Sequence, residues 1–270
     1  MRVIDLENIN EAMNNETQFV LRCEEVFHDK VSAAAASILS AGSRPIVALT
    51  GPSGSGKTTT AMRLKDYLEN LGVQVCLLSM DNFFLPLDKR PPEATDWESP
   101  YCVNVDLLVS CIGQLMDGKE VDIPWYDFKT GSTGGYNKMQ GHKGCIVIAE
   151  GIHMLNPLIF DKIRGAATGV YVAPRTRILT KKDRVVRPEQ IRVARRLIRD
   201  YTTGRFGWWV FFDNAKLFLP RDELMALFPP EFRDIDHSLD AAAAARRDET
   251  YLDPDALRNG ARANEKGNDE

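Results

Sequence analysis

The sequence predicts an α/β fold, a mostly parallel sheet flanked by helices with a basic helical lid. Three observations predict it. The short runs 46–49, 73–78, 145–149 and 169–172 are largely apolar without in–out alternation, as in strands covered on both faces. Helical periodicity separates them: Ala61, Leu64, Leu68 and Leu71 share one face of the segment after residue 57, Gly72 stops it, and 105–116 repeats the pattern. Finally, the glycine-rich turn 51–56 joins the first strand to a helix, so strand, helix and strand form a βαβ unit of about thirty residues.

The remaining segments are read around that centre. Residues 1–44 are expected to form a peripheral helical extension, with Val20, Cys23, Val26, Phe27, Val31 and Ala34 on its apolar side, broken at Gly42-Ser43-Arg44-Pro45. Acid, aromatic and proline residues from Asp81 to Pro100 predict a long functional loop. A basic helix is expected over 189–201, inside a lid spanning about 175–207. The main domain is taken as 45–252, and 253–270 as a polar, disordered tail.

Composition narrows the function. The 270 residues carry a net charge of −4 with 44% apolar and 27% charged residues, so a disordered or fibrous chain is excluded. No apolar run approaches the ~18 residues of a membrane span, so no membrane partner is expected. The opening MRVIDLENINEAMNNE carries acids and amides where a secretory signal has an apolar core, which predicts a cytoplasmic protein. Cys23, Cys76, Cys102, Cys111 and Cys145 are odd in number and lack a C-x-x-C pair, so reduced structural thiols are expected over zinc ligation or a disulfide. Between Arg175 and Arg205 eleven Lys/Arg face three acids, a local +8 that leaves −12 on the rest. Such a compact cluster suits a small polyanion, whereas nucleic acid calls for a broader basic face with interleaved aromatics. Trp208-Trp209 and Phe211-Phe212 fit a core or a subunit contact, which leaves a homo-oligomer open.

Gly51-Pro52-Ser53-Gly54-Ser55-Gly56-Lys57-Thr58 is a full G-x-x-x-x-G-K-[ST] pattern, the mark of a P-loop NTPase-type fold. Glycines let successive backbone N–H groups turn toward phosphate oxygens, Lys57 brings a mobile positive charge, and the Thr58 hydroxyl can ligate Mg²⁺. The helix that begins there adds the positive end of its dipole. The predicted ATP-binding residues are Gly51, Ser53, Gly54, Ser55, Gly56, Lys57, Thr58, Thr59 and Arg196. A guanine-reading N-K-x-D is absent, since Asn137-Lys138 continues Met139-Gln140, so a GTPase is not expected.

GPSGSGKTT, SMDNFF (79–84), WESP (97–100), YDF (126–128), IAEGIHMLNP (148–157) and ARRLIRD (194–200) occur in the order seen in the uridine kinase and phosphoribulokinase family, which this chain resembles over roughly 45–205. Asp81, just past the second strand, lies at the carboxyl edge where open α/β sheets bind ligands. A carboxylate there can orient an acceptor hydroxyl, take its proton and contact Mg²⁺, or simply cap the loop; the resemblance implies the base role. Glu150, ending the third strand, is expected to touch the metal directly or to hold its ligands, with a salt-bridged sheet-end acid as the alternative, giving Thr58, Asp81 and Glu150 as the metal set. Arg195 and Arg199 share a helix face and are expected, with Asp81 and Lys57, as catalytic residues that steady the transferring phosphate. Pairing of those arginines with Glu189 or Asp200 is the alternative.

The resemblance also implies Tyr126 as a wall of the acceptor site and Glu98 as the carboxylate that holds ribose hydroxyls. The chain departs from the family pattern there. Glu98 stands where Asp is commoner, no His follows Tyr126-Asp127-Phe128 before His142, and Gln190 stands where an Asp is usual. The implied activity is ATP-dependent phosphorylation of a small-molecule hydroxyl, with uridine or cytidine first, pantothenate or a sugar phosphate second, and a non-catalytic nucleotide-binding regulator as the contrasting class. His153, inside the family motif, is the one histidine of interest.

Overall fold

The computed structural model describes residues 2–96, 98–128, 130–180 and 185–193. Its centre is a four-stranded sheet of β2 (Ile46–Thr50), β3 (Val75–Ser79), β6 (Ile146–Glu150) and β7 (Ala167–Tyr171). The order is β3-β6-β2-β7 and every pairing is parallel, as the apolar runs predict. Alternate residues of each strand enter opposite cores. Ile46 and Ala48 join Cys76, Leu78, Val147 and Ala149 on the face covered by α4 (Val105–Met116) and α5 (Pro157–Ile163). Val47 and Leu49 join Ile146 and Ile148 beneath α2 (Glu16–Ser40) and α3 (Lys57–Asn70).

Helix ends follow local chemistry. Asn104 and Asn156 cap α4 and α5 by accepting from the amides of Leu107 and Leu158, and Pro157 supplies a first-turn residue that needs no hydrogen bond. Helix α3 buries Ala61, Leu64 and Leu68 as its spacing predicts. Leu71 does not join them, because the helix ends at Asn70 and Leu71 takes the C-cap, 56% exposed.

The N-terminal region differs from expectation in two ways. It opens with a strand, β1 (Arg2–Asp5), ahead of α1 (Leu6–Ala12), and β1 pairs in parallel with β8 (Thr176–Leu179). Moreover α2 is no peripheral helix: Val31, Ala35 and Ile38 are buried in the sheet core, whereas Val20, Cys23 and Val26 are exposed. Ser32 and Tyr67 bond through their hydroxyls at 2.8 Å, fixing α2 on α3. An antiparallel pair, β8 with β9 (Val185–Val186), completes the small β1-β8-β9 sheet.

The 81–100 loop is organised by 3₁₀ turns at Met80–Phe83 and Leu87–Lys89. An antiparallel hairpin of β4 (Glu120–Asp127) and β5 (Ser132–Gln140) has no counterpart in the sequence reading. A helix begins at 188, one residue before the predicted start, and is described to 193. The rest of the predicted lid, the end of the 45–252 domain, the 253–270 tail and the paired Trp and Phe residues lie outside the described residues. Among described residues no helix is long and apolar enough to cross a membrane, and all five cysteines are free thiols.

Leu64 is 1% exposed between α3 and the sheet. Leu64→Ala should therefore cost about 2–5 kcal/mol of unfolding free energy in urea titrations. A loss below about 1 kcal/mol would show that α3 does not pack as described.

Candidate functional site

The parallel sheet directs the C-terminal ends of β2, β3 and β6 to one edge, and three chain segments meet there. The turn 51–56 leaves β2. At its start Gly51 has φ +158°, and a Cβ there would lie 1.9 Å from the Val172 carbonyl oxygen, so only glycine fits. Val172 also donates its amide to the Thr50 carbonyl at 2.7 Å, which holds this end of the turn. Gly56, at φ +94°, leads into α3 with no side-chain cap, so the first amides of that 14-residue helix are left for an anion. The Ser55 hydroxyl is buried with no hydrogen-bond partner, the signature of a group that awaits one. A glycine cradle, open helix amides and an unsatisfied hydroxyl together fit a phosphate chain.

Lys57 reaches back to the Pro52 carbonyl at 3.4 Å, its ammonium kept at the mouth of the turn. Thr58 donates its hydroxyl to Glu150 Oε1 at 3.2 Å, and Ser79, the last residue of β3, donates to the same oxygen at 3.0 Å. Glu150 is 5% exposed. Burial pushes its carboxyl above the ordinary value of 4.5; the neighbouring Asp81 charge pushes the same way, while the Ser79 and Thr58 hydrogen bonds and Lys57 oppose. Asp81 itself is exposed, in the 3₁₀ turn that follows β3. The structure thus brings together Lys57, Thr58, Asp81 and Glu150 from three separate segments. Thr59 lies exposed on the first turn of α3.

Ser79 is a member of this group that sequence reasoning missed. Its position one strand-length past Val75, level with Glu150 in the β3–β6 register, was the available signal. Arg192 is the second. It donates to the Ser53 carbonyl at 3.0 Å, and a Cβ on Gly54 would lie 3.1 Å from its own carbonyl oxygen. Arg195, Arg196 and Arg199 lie outside the described residues.

Tyr126 and Glu98 belong to a second group. Tyr126 is buried among Phe84 and Phe128, with ring centroids 5.6 and 4.9 Å away, and its hydroxyl accepts from Arg90 at 3.0 Å. Arg90 also bonds the Leu85 carbonyl at 3.2 Å and lies 5.8 Å from the Phe84 ring. The Glu98 side chain is exposed; its backbone carbonyl meets the His153 ring nitrogen at 2.5 Å, which gives His153 a role in holding the 93–99 loop against the segment after β6. A cleft of about 430 Å³ opens between the 86–89 turn and the hairpin, lined by Asp88, Lys89, Ser132, Thr133 and Tyr136 rather than by Tyr126 or Glu98.

A strand-end phosphate turn with paired carboxylates narrows the family, and the model of the phosphoribulokinase/uridine kinase family matches residues 46–205. The chain belongs to that family. The uridine kinase of Brevibacillus brevis is 28% identical over 162 residues, covering 59% of this chain and 67% of the relative. An inorganic pyrophosphatase of Arabidopsis thaliana, TTM2, is 33% identical over 111 residues, 41% of this chain but 15% of that protein. Among solved structures, a possible uridine kinase from Bacillus stearothermophilus aligns with a TM-score of 0.44 at 24% identity, covering 53% of this chain and 79% of that one. The chain therefore spans a small part of the plant protein and about two thirds of the bacterial uridine kinase.

The raised carboxyl of Glu150 has a consequence for stability. The folded protein holds a proton there that the unfolded chain releases near pH 4.5, so this group's contribution to stability falls as pH rises from about 4.5 through the raised value. Glu150→Gln keeps an oxygen for Ser79 and Thr58 without the buried charge. The variant should be more stable than wild type at neutral pH, with the difference closing in acid below 4.5. Denaturant midpoints that instead converge as pH rises would contradict the assignment.

Proposed function

We propose that this protein is an ATP- and Mg²⁺-dependent kinase that phosphorylates a hydroxyl of a small metabolite, with a pyrimidine nucleoside, uridine or cytidine, as acceptor. The observation that carries the proposal is the buried Glu150, bonded to Thr58 of the phosphate turn and to Ser79 beside Asp81. Backbone amides of 53–58, with Lys57 and the Ser55 hydroxyl, bind and orient the phosphates. Mg²⁺, when bound, would neutralise charge on the phosphates. Thr58, Asp81 and Glu150 are the residues for it: an all-oxygen set of the hard-donor kind that Mg²⁺ takes. No cluster of three Asp, Glu, His or Cys able to hold a metal exists among the described residues. Asp81, the exposed carboxylate of the pair, accepts the proton of the acceptor hydroxyl, while Glu150 remains bound to its two hydroxyl donors.

Arg195, Arg196 and Arg199 are assigned to the phosphates, and the segment 175–207 to a lid that excludes water as an alternative acceptor. Tyr126 and Glu98 are assigned to the acceptor. Tyr126 supplies an aromatic wall fixed by Arg90, and Glu98 a solvent-facing carboxylate for hydroxyl groups. Five free thiols suit the reducing cytoplasm.

ADP release should depend on the acceptor and be fastest with uridine or cytidine when these are compared with pantothenate and ribulose 5-phosphate. A preference for either of the last two would replace the acceptor assignment, and no acceptor-dependent ADP would overturn the kinase itself. Asp81→Asn should lower kcat by about 10²–10⁴, the usual contribution of a positioned base, with ATP affinity little changed. Loss of ATP binding alone would refute that role. Lys57→Ala should weaken ATP binding about tenfold or more, as expected for loss of a charge-assisted hydrogen bond; equal affinity would contradict the phosphate turn.

A further inference from the structure

The phosphate turn is also gripped from outside by the chain that follows β7, through contacts that a lid over the phosphates does not require. After β7 the chain touches the turn at Val172, whose amide bonds Thr50 and whose carbonyl closes on Gly51. It then leaves the central sheet as β8, doubles back as β9 and returns at the start of the helix at 188. There Arg192 donates to the Ser53 carbonyl, and its backbone covers Gly54. Contact at Val172 and contact at Arg192 thus bracket the turn on both sides of residues 51–54.

Between those two contacts, the parallel ladder to β1 ties the excursion to a distant part of the chain. Arg2, Val3, Ile4 and Asp5 pair with Thr176, Arg177, Ile178 and Leu179, about 170 residues away in sequence. A two-residue β9 alone would hold β8 poorly, because an isolated two-stranded ribbon is marginal in water. The third strand makes β8 central in its sheet, with ladder partners on both edges.

We propose that β1 is a positioning element of the nucleotide site: by fixing β8 it sets Arg192 against the phosphate turn, and Arg192 acts through the Ser53 carbonyl to hold that turn in its anion-binding shape. Arg192 is a positioning residue here, since the atom that it touches is protein backbone. The proposal rests on the nucleotide-binding reading only for its effect on ATP; the restraint on the turn exists in the ligand-free chain. It also gives the N-terminal strand a purpose that packing of α2 does not require.

Hydrogen exchange of the ligand-free, full-length chain tests it directly, because the Ser55 amide, bonded within the turn to the Pro52 carbonyl at 3.1 Å, exchanges at a rate set by local opening. The double variant Val3→Pro/Ile4→Pro removes an amide donor from each residue parity, so the β1–β8 ladder is broken whichever residue faces β8. Exchange over 51–58 should quicken about tenfold, the scale of one hydrogen bond, while 105–116 in α4 stays protected. Arg192→Ala should give the same quickening, the two changes combined should add little further, and Arg192→Lys should restore part of the protection by donating once to Ser53. ATP affinity measured by titration should fall about tenfold in both variants with the same partial rescue by Lys. Unchanged exchange over 51–58 in either variant would overturn the proposal, as would a loss of protection spread equally over α4, which would mean general unfolding. Wild-type protein that fails to bind ATP, with the exchange pattern as expected, would refute the kinase reading and leave the positioning role standing.

Discussion

One buried carboxylate joins the segments on which the site depends. Glu150 ends the strand between β3 and β2, so its side chain emerges where the phosphate turn and the Met80–Phe83 turn both begin. Taking a carboxylate out of water is costly unless hydrogen bonds replace the lost hydration. Thr58 and Ser79 provide them, one from each neighbouring segment, and each is thereby held to the centre of the sheet. The arrangement requires parallel strands. Were β3 antiparallel to β6, Ser79 would end at the opposite edge and the carboxylate would lose one of its two donors.

Burial on both faces made the core legible. Ile46 to Leu49 and Ile146 to Ala149 are apolar at every position because helices cover both sides of these strands, and that continuity is a strong local signal. The phosphate turn was legible for a different reason, since its backbone shape admits few residue types. Sites defined by backbone geometry and full burial leave marks that a single sequence retains.

What escaped notice depends on distant partners or on weak periodicity. β5, Ser132 to Gln140, has almost no apolar face, and Pro124 interrupts the alternation of β4, so neither resembles a strand alone. β1 is four residues long and is stabilised by a partner 174 positions away, which no local window contains. The buried side of α2 was read only in part, because its first half is as apolar as its second: Phe27 and Val31 do pack over the sheet, whereas Cys23 is exposed. Val20 and Val26 are exposed, while the stripe that matters, Phe27, Val31, Ala35 and Ile38, runs over the sheet. Ser79 and Arg192 escaped because their roles lie in single hydrogen bonds across the fold.

The β4–β5 pair slips register between Trp125 and Tyr126: Trp125 pairs with Gly135 and Tyr126 with Thr133, so Gly134 is left over. Past the slip the inward side changes parity from Val121 and Ile123 to Tyr126, while Trp125 faces outward over Gly134. The surplus residue is a glycine, and the Trp125 indole lies where its Cβ would stand. A Cβ at that position would lie 2.3 Å from the indole ring. Exposed strands usually tolerate most side chains, but a larger residue at this extra position would have to displace the ring that lies on it.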